Sequence, residues 1–191
     1  MIRASYQIAL GGALGEDHLM TFDMGGTSTD VALLDGDIRL TQQGHIGPYP
    51  VAVPMVDMHT IGAGGGSLAY VDDAGLLHVG PQSAGADPGP ACYGKGGQQV
   101  TVTDANVVLG RLQPDFALGG SLALDVPAAE QAMDRLAQAL GLTRQQAADG
   151  VLALANEHMT QALRVISIQK GFDPADFALM SFGGAGGLHV C

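Results

Sequence analysis

The chain has 191 residues, 47% of them hydrophobic and 14% charged, with 29 glycines, two cysteines and no tryptophan, enough for one sizeable core and an expectation of one domain. Its 8 Lys and Arg against 19 Asp and Glu give a formal charge of −11 without a basic patch; such a surface repels phosphate backbones and argues against a nucleic-acid partner. No apolar run approaches the roughly 20 residues of a membrane-spanning helix, Met1 to Arg3 leads into no signal-peptide core, and two cysteines make a poor disulfide framework, so a reduced, cytoplasmic protein without a membrane partner is expected.

Leu19 to Phe22 reads as a buried strand and Val31 to Leu34 as its hairpin partner, turned again at Asp35 and Gly36 into Ile38 to Leu40. An antiparallel meander over 18–40 is therefore expected. At its first tip, Gly25 and Gly26 let backbone N–H groups approach a phosphate closely, and Thr27, Ser28 and Thr29 add hydroxyl donors. Asp23 sits beside them, where a carboxylate can hold Mg²⁺ through water or orient an attacking water. A lone Gly-Gly-Thr is more often a plain hairpin turn; its weight comes from the second glycine turn described below.

The segment 54–111 reads as a glycine-rich insertion. Asp57 and His59 alternate along a strand, so their side chains share a face immediately before the turn Gly62 to Gly66. A carboxylate beside an imidazole suits Zn²⁺, Mn²⁺ or Fe²⁺, with further ligands from Asp87, Cys92, Asp104 or another lobe; the alternative is a structural hydrogen-bond pair at a strand end. His78 reads as an exposed strand position. The irregular stretch Gly80 to Gly97 has the length of a functional loop. Its Cys92 is weighed as a nucleophile, against which stands the lack of a nearby His in sequence.

The segment 125–191 is expected to hold helices and a final strand. Asp125 and Pro127 mark a helix start; Ala129, Ala132, Met133, Leu136 and Leu140 line one face, and Gly141 ends it. Thr143 and Gln146 form a capping box for a longer helix whose apolar stripe runs from Val151 to Ile166. His158 and Arg164 on that helix read as solvated or core-edge positions. Phe177 to Phe182 is a strand entering Gly183 to Gly187, after which Leu188, His189 and Val190 read as the first turn of a helix against which a nucleoside or phosphate could lie. This order gives an α/β domain with a mixed sheet.

Five segments carry a resemblance: Asp23 to Val31 (DMGGTSTDV), Asp57 to Ser67 (DMHTIGAGGGS), Gly80 to Gly94 (GPQSAGADPGPACYG), Thr103 to Asn106 (TDAN) and Phe182 to His189 (FGGAGGLH). In this order they resemble the hydantoinase A/oxoprolinase family, which includes ATP-dependent N-methylhydantoinase, 5-oxoprolinase and related subunits of acetone and acetophenone carboxylases. The resemblance implies an actin-like, ribonuclease H-like ATPase lobe similar to that of Hsp70 and sugar kinases. It implies phosphate binding by Gly25, Gly26, Thr27 and Ser28, catalytic roles for Asp23 and Thr27, and contact of adenosine with Gly183, Gly184, Gly186 and Gly187. ATP and Mg²⁺ are the implied cofactors, beside the second divalent metal considered at Asp57 and His59.

Full-length members carry an earlier Asp-x-Gly-Gly-Thr domain and continue past the adenosine turn. Residues 1–191 are therefore read as a single partial domain, one lobe that is inactive alone and partnered by an N-terminal lobe and a hydantoinase B-type subunit or domain. The implied activity is ATP-dependent opening of a small cyclic amide or imide. The alternatives are the ATPase-type subunit of a ketone carboxylase and, in another class, a noncatalytic actin-like assembly module.

Overall fold

Leu19, Met20, Phe22 and Met24 on one side of the first glycine turn, and Val31, Leu33 and Leu34 on the other, are almost wholly buried, so their backbones must be satisfied by pairing. In the computed structural model, which describes Gly12 and residues 15–41, 44–46, 49–51, 54–114 and 123–190, they form β1 (His18–Met24) and β2 (Thr29–Asp35). The two are antiparallel, from His18 opposite Asp35 to Met24 opposite Thr29.

Beyond β2 the expected antiparallel meander continues into a short third strand, which ends at Ile38 rather than Leu40. The chain runs through β3 (Asp37–Ile38), β4 (Leu40–Thr41), β5 (Gly44–Ile46), β6 (Tyr49–Val51) and β7 (Met55–Val56) into β8 (Met58–Ile61). β3 reaches β2 only at Leu34 and Asp35, and Thr29 to Ala32 pair with β8 instead. The turn at Gly36 is real, with φ +73°, but Leu40 is exposed, so no burial holds its strand on this sheet, and Leu40 pairs with Val56 of β7.

β9 (Ser67–Val71), β10 (Leu77–Ser83) and β11 (Val100–Thr101) form a second, antiparallel sheet with β9 in the middle. The last strand, β12 (Ala178–Phe182), returns to the first sheet and lies parallel to β1, with Leu19 opposite Ala178 and Asp23 opposite Phe182. The main sheet, ordered β12-β1-β2 with β3 and β8 sharing the far edge, is therefore mixed, as expected.

Among the described residues three α-helices pack on the two sheets. α1 (Val102–Val108) starts at a capping box formed by Thr101 and Asp104. α2 (Val126–Leu140) is capped by Asp125 and ended by Gly141 at φ +66°, and α3 (Arg144–Ile166) opens on the Thr143–Gln146 box, in agreement with the sequence. α3 buries Ala147, Ala148, Val151, Ala155, Met159, Ala162 and Ile166 in the core shared with Met20, Phe22, Val31 and Leu33 of the sheet and Met133 and Leu136 of α2. Its alanines let the helix approach closely, so one stripe of small side chains serves both neighbours. Among the described residues no helix is long and apolar enough to cross a membrane.

Candidate nucleotide site

The hairpin tip between β1 and β2 is closed by Gly25, whose N–H donates to the Ser28 carbonyl at 3.0 Å. A second glycine turn, 62–66, is docked against it. Gly65 N–H donates to the Gly25 carbonyl at 3.0 Å and Gly66 N–H to the Gly26 carbonyl at 2.6 Å. A Cβ on Gly64 would stand 2.7 Å from Gly26 C and Thr27 N, so main chain meets main chain with no room for a side chain. The Thr29 hydroxyl donates to the Ala63 carbonyl at 2.6 Å. The tip itself is left exposed at Gly26 and Thr27, and the Thr27 and Ser83 hydroxyls lie 3.4 Å apart beside it.

Because β12 runs parallel to β1, the turn that follows it leaves the sheet at the same end as the first turn, where open α/β sheets place ligands. The contact is direct. Ala185 N–H donates to the Met24 carbonyl at 3.1 Å. Gly183 has φ +82°, and a Cβ there would strike the Met24 carbonyl and stand 2.7 Å from Asp23 Oδ1. A Cβ on Gly65 would touch that of Ala185 at 3.4 Å, so all three glycine turns meet. Asp23, Gly25, Gly26, Thr27 and Ser28 are thus gathered beside Gly183, Gly184, Gly186 and Gly187 in one place.

The expected helix start at Leu188 is corrected in detail: Gly186–Leu188 is a single 3-10 turn, capped by His189. His189 is held on both ring nitrogens. Asn156 Oδ1 can only accept, so His189 Nδ1–H donates to it at 2.8 Å, and Nε2 accepts from Asn106 Nδ2 at 3.4 Å. Burial, helped by the Arg111 charge, pushes the pKa of His189 down to about 4, which keeps the ring neutral and this tautomer fixed.

Asp104 is wholly buried. It accepts from the Thr101 hydroxyl at 2.8 Å, and from the N–H groups of Thr101 at 2.9 Å, Cys92 at 2.8 Å and Ala91 at 3.2 Å. Its carboxylate is therefore committed to the irregular loop and the start of α1, where the sequence allowed a metal ligand. Cys92 is also wholly buried, and burial, then the Asp104 charge, raises its thiol pKa far above the usual range. The nucleophile reading of Cys92 fails on this ground, since the thiolate is the reactive form. Sequence reasoning missed the structural role of Asp104, although the Thr-x-x-Asp spacing at 101–104 signals a capping box. It also missed Thr103, whose N–H and hydroxyl both donate to the Gly65 carbonyl at 2.7 and 2.8 Å, and Ser83, for which no sequence signal pointed to Thr27.

Asp57 and His59 lie elsewhere. Asp57 Oδ2 is paired with Lys170 Nζ at 2.5 Å. His59 lines a cavity of about 530 Å³ between β8, the β9–β10 hairpin and α3, together with His78, His158, Tyr70 and Gln161. His78, half-exposed, is paired with Asp72 at 2.6 Å and stacks on Tyr70 at 5.3 Å. Among the described residues no group of three His, Cys, Asp or Glu side chains is placed to hold a metal ion.

With this geometry in hand, the sequence profile of the hydantoinase/oxoprolinase family matches residues 4–191. The chain belongs to the hydantoinase/oxoprolinase family. Within the family it is 48% identical to the caprolactamase subunit alpha of Pseudomonas jessenii over 92% of this chain and 26% of that protein. It superposes on the crystal structure of the ATP-dependent caprolactamase of the same organism with a TM-score of 0.90 and 44% identity, covering 98% of this chain and 27% of that one. A nucleotide-free structure of acetone carboxylase, an enzyme of ATP-dependent acetone carboxylation, gives a TM-score of 0.88 and 36% identity over 96% and 26%. The chain thus spans about a quarter of the length of these relatives. Its mixed sheet and C-terminal helices, shared with these hydantoinase/oxoprolinase-family structures, are consistent with an actin-like ATPase lobe.

Proposed function

We propose that this chain is the nucleotide-binding lobe of an ATP-dependent enzyme that opens a small cyclic amide. The observation that carries the reading is the contact of the two exposed glycine turns across Met24, Asp23 and Gly183, supported by the likeness to an ATP-dependent caprolactamase. In the implied reaction the ring carbonyl oxygen takes the γ-phosphoryl group of ATP, ADP leaves, water adds to the activated carbon, and the C–N bond and phosphate ester are then broken. This lobe has to hold the phosphates and keep the reacting groups in line.

Gly25 and Gly26 would offer backbone N–H groups and Thr27 and Ser28 hydroxyls to the phosphates, while Gly183, Gly184, Gly186 and Gly187 would give adenosine a surface without side chains. The hard oxygen donors beside the tip, the Asp23 carboxylate and the Thr27 hydroxyl, fit Mg²⁺, which when bound would neutralise developing phosphate charge. Asp23 would orient that ion or the attacking water. A second divalent cation, Zn²⁺, Mn²⁺ or Fe²⁺, at Asp57 and His59 would have to displace Lys170 and draw its remaining ligands from outside the described residues. The coverage of only 26% of a relative named as a subunit supports a role beside an opposing lobe and a hydantoinase B-type subunit or domain.

The likeness to acetone carboxylase favours one other reading, in which the same lobe serves phosphorylation that activates a ketone enolate for carboxylation. A noncatalytic assembly role explains the fold but leaves the gathering of Asp23 and Thr27 with the glycines unused. In the assembled enzyme, Asp23→Ala is expected to lower kcat for ATP turnover by about 10²- to 10³-fold while changing folding stability by less than about 1 kcal/mol. Turnover at the wild-type rate by this variant would remove the assignment.

A further inference from the structure

Asn106 is almost wholly buried in α1, and its amide is only half satisfied. Nδ2 donates to the Val102 carbonyl at 3.0 Å and to His189 Nε2 at 3.4 Å, whereas Oδ1 is buried without a partner among the described residues. A leucine of similar size would remove that unfavourable burial, so what remains to explain the asparagine is the group its N–H₂ reaches. That group is the side chain that follows the adenosine turn. His189 also closes the 3-10 turn through its own backbone, its N–H donating to the Gly186 carbonyl at 3.1 Å.

The other end of the same short helix is fastened to the phosphate side. Thr103, one turn before Asn106, donates twice to the Gly65 carbonyl, and Gly65 N–H donates to Gly25 of the hairpin tip. α1 therefore touches one turn at its start and the other through Asn106. Asn156 of α3 fixes the His189 ring from the far side.

We infer that Asn106, His189 and Asn156 form a positioning relay that uses α1 as a strut, holding the adenosine turn at a set distance from the phosphate turn and so governing affinity for the nucleotide. This rests on the nucleotide reading given above. The relay touches no reacting atom, so its loss acts on ATP binding rather than on the chemical step. Its two side-chain bonds need His189 neutral, with Nδ1–H toward Asn156 and a bare Nε2 toward Asn106, the state that burial imposes.

The test is steady-state ATP turnover by the assembled enzyme. His189→Ala and Asn156→Ala should each raise KM for ATP by about tenfold, as expected for losing a buried hydrogen bond or two, with kcat within about threefold of wild type. Added imidazole should lower the raised KM of His189→Ala but not that of Asn156→Ala. Unchanged KM for ATP with a lowered melting temperature, or an equal rise in KM for the amide, would overturn the relay. Wild-type enzyme without any ATP turnover would instead overturn the nucleotide reading beneath it.

Discussion

Replacing Gly183 by alanine is expected to separate the two halves of the proposed nucleotide site. Its φ of +82° lies in the left-handed region, which alone strains alanine by about 1–3 kcal/mol. The new methyl would also drive into the Met24 carbonyl and stand 2.7 Å from Asp23 Oδ1. Backbone at the end of a central strand cannot rotate away as a surface side chain can, and overpacking of this kind adds about 1–3 kcal/mol. The expected sum is a loss of about 2–6 kcal/mol, read by denaturant unfolding, together with loss of the proposed nucleotide binding. Gly184→Ala is the control: nothing lies within 4 Å of a Cβ there and its φ is not in the left-handed region, so stability should change by less than about 0.5 kcal/mol.

Asp104→Ala is expected to have an effect of similar size from a site that touches no nucleotide. The substitution strands three backbone N–H groups and the Thr101 hydroxyl in the interior, and an orphaned buried donor costs about 1–3 kcal/mol, partly relieved if the loop opens to water. A net loss of about 3–5 kcal/mol follows, at the upper end for single substitutions. Opening should also reach Cys92, whose N–H Asp104 holds. Thiol-reagent labelling of Cys92 in native protein should therefore be very slow in wild type and clearly faster in Asp104→Ala. Asp104→Asn, which keeps the volume but turns an N–H₂ donor toward backbone N–H groups, should fall in between.

Local signals carried the parts of this fold that were readable in sequence. The caps at Asp125, Gly141 and Thr143 set helix boundaries to within a residue, and the hairpin showed because glycines and hydroxyls interrupt two apolar strands. Pairings between distant segments were not readable. β8 takes the part of the β2 edge that the short β3 leaves open, a pairing between segments that no turn joins. The Asp57–Lys170 pair spans 113 residues, so spacing alone suggested a metal pair instead. α1 escaped notice because seven residues show little helical period and the β-branched Val100, Thr101, Val102 and Thr103 at its start disfavour helix locally. The glycines at 62–66 looked like loop material; what requires them, the approach of the Gly26 backbone to Gly64, exists only in three dimensions.

The most direct test of a single nucleotide site is hydrogen exchange of the protein, assembled with the opposing lobe and subunit proposed above, with and without saturating Mg-ATP. Backbone amides of 24–28 and of 183–188 should slow together, with little change around the cavity lined by His59 and His158. Protection confined to one turn, or centred on that cavity, would contradict the account.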